Sequence, residues 1–136
     1  MKTFKLKSLR IIESIKAEII EHDIELLDGL IINREDEHDR WLVEAYVDQQ
    51  YMDLFKRLQR EREEIMIEVK ITKKSNLPAT FITSIIGINT IGERMNVLFM
   101  GKIVDQRKSK IEKMLRSLIT KGYQGEELLE KFKQLI

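Results

Sequence analysis

Two consecutive stretches, residues 79–89 (ATFITSIIGIN) and 94–104 (RMNVLFMGKIV), are apolar on both faces when read at the two-residue period of a strand. In the second, Val97, Phe99 and Ile103 fall on one side, and Leu98, Met100 and Val104 on the other. Such a strand needs cover above and below, so it belongs inside a sandwich or barrel, or beneath helices. Asn89-Thr90-Ile91-Gly92 reads as the turn between the two. Ser75-Asn76-Leu77-Pro78 turns the chain ahead of the first, with Pro78 just before the strand begins.

Other stretches alternate as strands with one buried and one wet face. In residues 65–71, Ile65, Ile67, Val69 and Ile71 oppose Met66, Glu68 and Lys70. In residues 40–48, Trp41, Val43, Ala45 and Val47 point one way, and near the start Phe4 and Leu6 share a face. Residues 14–33 read two ways. A helix capped by Ser14 would align Ile20, Ile24 and Leu27; strands would alternate Ile20, His22, Ile24 and Leu26. Leu30-Ile31-Ile32 and the Asp28-Gly29 pair favour strands, the pair marking a hairpin turn or a bulge.

Three helices are predicted. Over residues 49–62, Tyr51, Leu54, Phe55 and Leu58 form one apolar stripe, with Asp48 as the N-cap. Over residues 105–121, Ile111, Met114, Leu115, Leu118 and Ile119 form a second, capped by Asp105 and stopped by Lys121-Gly122. After Tyr123-Gln124-Gly125 comes a third, with Leu128, Leu129, Phe132 and Leu135. Its early Glu126 and Glu127 and late Lys131 and Lys133 suit the helix dipole. So short a connection makes the last two an antiparallel hairpin. The expected order is β-β-β-α-β-β-β-α-α. The fold class is mainly β with α: an antiparallel β-barrel or curled sheet of about six strands, one inserted helix and a C-terminal αα-hairpin. One domain is expected over residues 1–136, with a barrel-like body at 1–104 and the helical hairpin at 105–136.

Composition narrows the function classes. The 136 residues carry 24 basic and 23 acidic side chains, a net charge of +1 that announces neither a nucleic-acid nor a membrane partner. Without cysteine there are no disulfides, thiolate zinc sites or cysteine nucleophiles. Lys2, Lys5, Lys7 and Arg10 break up the first apolar residues, and no signal-peptide stretch or membrane-length run follows. The expectation is a cytoplasmic protein, or one exported without an N-terminal signal.

The stretches DGLIINREDEHDRWLVEAYV, VKITKKSNLPATF, NVLFMGKIVDQRK and GEELLEKFK, after an MKTFKL start, closely resemble the YwpF-like family of small Firmicute proteins. DGLIIN and RWLVEAY carry the most specific part of the likeness. The resemblance implies a β-barrel-like body with a C-terminal helical hairpin, a fold similar to the tube-forming subunit of type VI secretion systems. It supplies no catalytic motif, so no site residue is inherited.

The triplet Glu-His-Asp occurs twice, as Glu21-His22-Asp23 and Glu37-His38-Asp39, and holds both histidines. A shared metal site needs the two to converge. If Asp28-Gly29 turns a hairpin, His22 faces Glu35, and His38 lies three residues further along, roughly 10 Å away. The run Arg34–Arg40 reads instead as a charged loop between strands. No metal, cofactor or catalytic residue is therefore expected. Ser14, Ser84 and Ser109 stand in no nucleophile-elbow context, and Gly87, Gly92 and Gly101 have no phosphate-loop spacing. The remaining candidate surface is basic: Lys70, Lys73 and Lys74 at one strand end, with Arg107, Lys108, Lys110, Lys113 and Arg116 on one helix. An OB-like order would make this a single-stranded nucleic-acid binder. Such a surface wants aromatics for base stacking, and Trp41, Phe81 and Phe99 sit on faces that read as buried, leaving Tyr46. The first expectation is a non-enzymatic protein-interaction or self-association module, linked to secretion or the cell surface by the fold resemblance. Nucleic-acid binding is the alternative.

Overall fold

The computed structural model describes residues 1–104 and 108–135, with side chains described from residue 111 onward in the second span. Seven strands run in the order β1 (Lys2–Ile15), β2 (Glu18–Ile24), β3 (Leu26–Asn33), β4 (Trp41–Asp48), β5 (Ile65–Ile71), β6 (Ala79–Ile91) and β7 (Arg94–Ile103). A 3-10 turn, Gln49–Tyr51, and helix α1 (Met52–Glu61) follow β4; α2 (Lys108–Thr120) and α3 (Gly125–Leu135) follow β7. The pairing is antiparallel throughout. β1, β3, β4, β7, β6 and β5 close into a six-stranded barrel through the β1–β5 ladder, and β2 is an additional strand on β1.

The long first strand makes this closure possible. Along one edge of β1, Lys2–Lys5 pair with β3 and Leu9–Ile15 with β2. Along the other edge, Leu6–Ile12 pair with β5. Residues 14–33 are thus strands, as favoured, but the hairpin turn is Lys16-Ala17 and not Asp28-Gly29. Both turn residues adopt positive φ, 51° and 66°, as a two-residue turn requires, although neither is glycine. Four strands precede α1, where three were expected. Asp28-Gly29 lies inside β3, opposite Tyr46 and Ala45, beside a bulge at Leu26/Asp28. Gly29 is buried there, where a Cβ would stand 2.7 Å from Leu6 Cδ2 and 2.8 Å from the Glu44 carbonyl oxygen. Its lack of a side chain serves a close approach, not a turn.

The turn expected at Asn89–Gly92 is shorter. Asn89, Thr90 and Ile91 pair with Asn96, Met95 and Arg94, leaving Gly92-Glu93 as the loop, with Gly92 at φ 59°. The N-cap reading holds for Asp48, whose side chain accepts from the Gln50 N–H, although the α-helix proper starts at Met52. Gly122 has the left-handed φ of a helix stop. The expected Asp105 cap lies outside the described residues.

Two apolar clusters hold the fold. Inside the barrel, Ile11, Ile31, Val43, Val47, Ile67, Phe81 and Phe99 meet Phe55 and Leu58, with which α1 closes one end. Outside it, Met66 and Ile82 are buried beneath Ile111, Leu115, Leu118, Leu128, Leu129 and Phe132 of α2 and α3. Met66 was expected on a wet face; the helical hairpin covers it. Two polar ties flank that contact: the Glu63 N–H donates to Glu126 Oε1 at 2.8 Å, and Lys133 pairs with Glu64 at 2.8 Å.

Candidate functional site

The two histidines stand apart and do different work. His22, on β2, is opposite Ile11 rather than Glu35, so the register expected from an Asp28-Gly29 hairpin is overturned. The Lys16-Ala17 turn instead places Ile20 opposite Glu13. Glu13 interrupts the inward row Leu9, Ile11 on β1, and its side chain is 1% exposed. His22 Nε2 lies 2.5 Å from Glu13 Oε2. Arg57 of α1 donates to both carboxylate oxygens, at 3.0 and 2.8 Å, and Arg62 Nε donates at 3.2 Å. Burial pushes the Glu13 carboxyl up, but the bonds from Arg57, His22 and Arg62 outweigh it and bring the pKa down to about 2. This is a buried, fully bonded carboxylate tying β1, β2 and α1 together.

His38 belongs to the loop between β3 and β4. There Asp36 accepts from the Arg40 and His38 N–H groups, each at 3.1 Å, and from Arg40 Nε at 2.9 Å. The main-chain bond from Arg40 is the first cause of an Asp36 pKa lowered to about 2. Among the described residues, no three His, Asp or Glu side chains cluster as a metal site requires. A cavity of about 20 Å³ between barrel and hairpin, lined by Ser14, Glu13, Arg62 and Leu128 among others, has room for one water-sized molecule. No described helix is long and apolar enough to cross a membrane.

The described residues of the candidate basic surface lie at the end of β5 and on α2. Lys70 is opposite Ser8 on β1, with Lys73 and Lys74 in the loop beyond β5. Lys113 and Arg116 are exposed on α2, and Arg116 shares a recess with Ala17 and Ile19 at the tip of the β1–β2 hairpin. Ile111 and Glu112 of α2 also line a recess with Glu68, two residues before Lys70 on β5. Arg107 and the side chains of Lys108 and Lys110 lie outside the described residues. Of the aromatics, Phe81 and Phe99 are fully buried, Trp41 packs against Phe4 and Phe81, and Tyr46 is half-buried.

The feature that sequence reasoning missed is the outer face of β3, β4, β7 and β6. The ladders place Ile32, Leu42 and Met100 side by side in one row. In the next, Leu30, Glu44 and Leu98 stand side by side, with Ile86 beside them at the β6 bulge. None of these apolar side chains belongs to either buried cluster. Leu30 is 39% exposed and Ile86 52%. No described helix packs over them, because α2 and α3 sit on β5, the adjoining part of β6, and Ile12 and Ile19 of β1 and β2. At the centre of this face is a polar island: Asn96 Nδ2 donates to Glu44 Oε1 at 2.9 Å, while Asn96 Oδ1 is buried with no partner among the described residues. At Met100 the face runs into a recess of about 520 Å³ rimmed by Arg40, Lys102 and Lys133. The signal was present in the sequence, since DGLIIN and RMNVLFMGKIV are apolar on both sides. What was not visible is which side the helices leave bare.

Residues 2–135 match the model of a family described as YwpF-like protein. The chain is 40% identical over 134 residues, 98% of each chain, to the uncharacterized protein YwpF of Bacillus subtilis. It is also similar to the crystal structure of a hypothetical protein from Staphylococcus aureus. The two share a TM-score of 0.70 and 33% identity, over 99% of this chain and 92% of that one.

Proposed function

Starting from the fact that the chain belongs to the YwpF-like family, we propose that it is a non-enzymatic protein-interaction or assembly module. The observation that carries this reading is the apolar outer face of Leu30, Ile32, Leu42, Leu98, Met100 and Ile86, with Leu30 and Ile86 exposed and the other four half-buried. Scattered exposed apolar residues need no explanation, whereas a contiguous two-row patch on the outside of a closed barrel supports a contact surface. The non-enzymatic part draws on one feature. The buried Glu13 has its oxygens occupied by arginine and histidine. A place in secretion or at the cell surface rests on the likeness to tube subunits alone. The nucleic-acid reading has little support from the aromatic positions, since the fully buried Phe81 and Phe99 offer no stacking platform.

The test is panning a phage-displayed random twelve-residue library against the wild-type chain and the Leu30→Lys/Leu98→Lys variant. Enriched peptides should bind the wild type and lose the variant, whose thermal midpoint stays unchanged. No enrichment, or binders indifferent to the substitutions, would overturn the reading. Light scattering then separates its two forms: a ring or larger species indicates assembly, and a clean monomer a binding module.

A further inference from the structure

We infer that the occupant of the outer face is a segment of another protein that presents an arginine or lysine between apolar side chains, with the cation seated on Glu44. This rests on reading the face as an interaction surface. Glu44 sits between Leu30 and Leu98 in the middle of the patch. One of its oxygens accepts from Asn96 Nδ2, and the other accepts nothing among the described residues. The Asn96 amide thereby holds the carboxylate in place. A carboxylate oxygen accepts only, so what engages it is a donor, and a charged one serves it best. Seating a cation within an apolar ring, from which the partner excludes water, strengthens that contact.

A second copy of this chain fits less well on two counts. Two rows across three or four strand spacings cover on the order of 200–300 Å², against about 800 Å² per partner in a stable complex. A two-fold axis through the patch would also bring two Glu44 carboxylates together. A short amphipathic segment has neither difficulty. An arginine suits the site best, because its planar fork matches a carboxylate.

The experiment is a ¹⁵N-resolved NMR titration of the whole chain with two acetylated, amidated pentapeptides, Val-Leu-Arg-Leu-Val and Val-Leu-Gln-Leu-Val. The arginine peptide should shift the amide signals of Glu44, Leu98 and the Asn96 side chain, and bind about tenfold more tightly than the glutamine peptide. Glu44→Gln should remove the difference while the apolar contact persists, and Asn96→Ala should reduce it. Equal binding of both peptides at these signals overturns the cation inference but leaves the interaction face standing. Shifts from neither peptide overturn the inference, and library panning against the lysine variant then decides the face independently.

Discussion

Glu13 and His22 meet across the β1–β2 ladder with Nε2 and Oε2 2.5 Å apart, and Arg57 reaches the same carboxylate from α1. A charge at that depth is tolerable only because its partners replace the water it gave up. The pKa of Glu13 is lowered from 4.5 to about 2, against the push of burial. A depressed carboxylate contributes stability that is fully present above its unfolded pKa and lost as pH falls through the folded one. Between about pH 4.5 and pH 2, Glu13 should therefore cost the chain about 3 kcal/mol of unfolding free energy. Other lowered carboxylates, such as Asp36, add to the wild-type slope. Urea unfolding of wild type and Glu13→Gln as a function of pH isolates the effect. The variant should be destabilised near neutrality by several kcal/mol, and the difference should shrink towards pH 2. A constant difference across that range would remove Glu13 as the titrating group.

The Lys16-Ala17 turn holds two L-residues at positive φ. A left-handed conformation costs an ordinary residue roughly 1 kcal/mol or more, and asparagine and glycine relieve it. Lys16→Asn/Ala17→Gly should raise the unfolding free energy by about 1–2 kcal/mol, read from denaturant midpoints at unchanged m-value. A midpoint that stays put or falls would mean that the turn has another conformation.

Strand glycines should respond unequally to a methyl group. At Gly29, an added Cβ meets Leu6 and the Glu44 carbonyl at 2.7 and 2.8 Å; at Gly101, it collides with the Ile82 carbonyl. At Gly87, the nearest atom, Leu98 Cδ1, is at an ordinary 3.5 Å. Gly29→Ala should cost about 2 kcal/mol and Gly101→Ala at least as much, whereas Gly87→Ala should change stability by less than about 1 kcal/mol. Thermal denaturation of the three single variants checks the order.

The helical hairpin protects barrel surface. Phe132 is fully buried against Met66 and Ile82, so Phe132→Ala should cost about 3–4 kcal/mol. Ending the chain at Val104 exposes that whole outer cluster and should give an insoluble or dye-binding fragment. A soluble, cooperatively unfolding 1–104 fragment would show that the hairpin is dispensable to the barrel.

Much of this architecture is written into period and punctuation. The two-residue alternation of Ile65–Ile71 and Trp41–Val47, the stripe of Phe55 and Leu58, and the stop at Gly122 are local signals, and each became the element it predicted. Where sequence reading slipped, a long-range contact outweighed a local cue. Asp28-Gly29 carries turn chemistry, but fourteen-residue β1 offers one edge long enough for β2 and β3 in succession. Gly29 is then needed for the approach of Leu6. Glu13 interrupts an inward apolar row and could have been flagged as a buried charge. Its partner Arg57, 44 residues away, could not.

The sequence by itself determined that strands 79–89 and 94–104 need cover on both sides, because apolar side chains alternate through both of their faces. Only the tertiary structure decided which outer faces receive it. Barrel closure fills the inside, and one helical hairpin can cover only the neighbourhood of Met66 and Ile82. Leu30, Leu42 and Leu98 are left around Glu44 and Asn96, residues 52 positions apart that meet only because β4 pairs with β7.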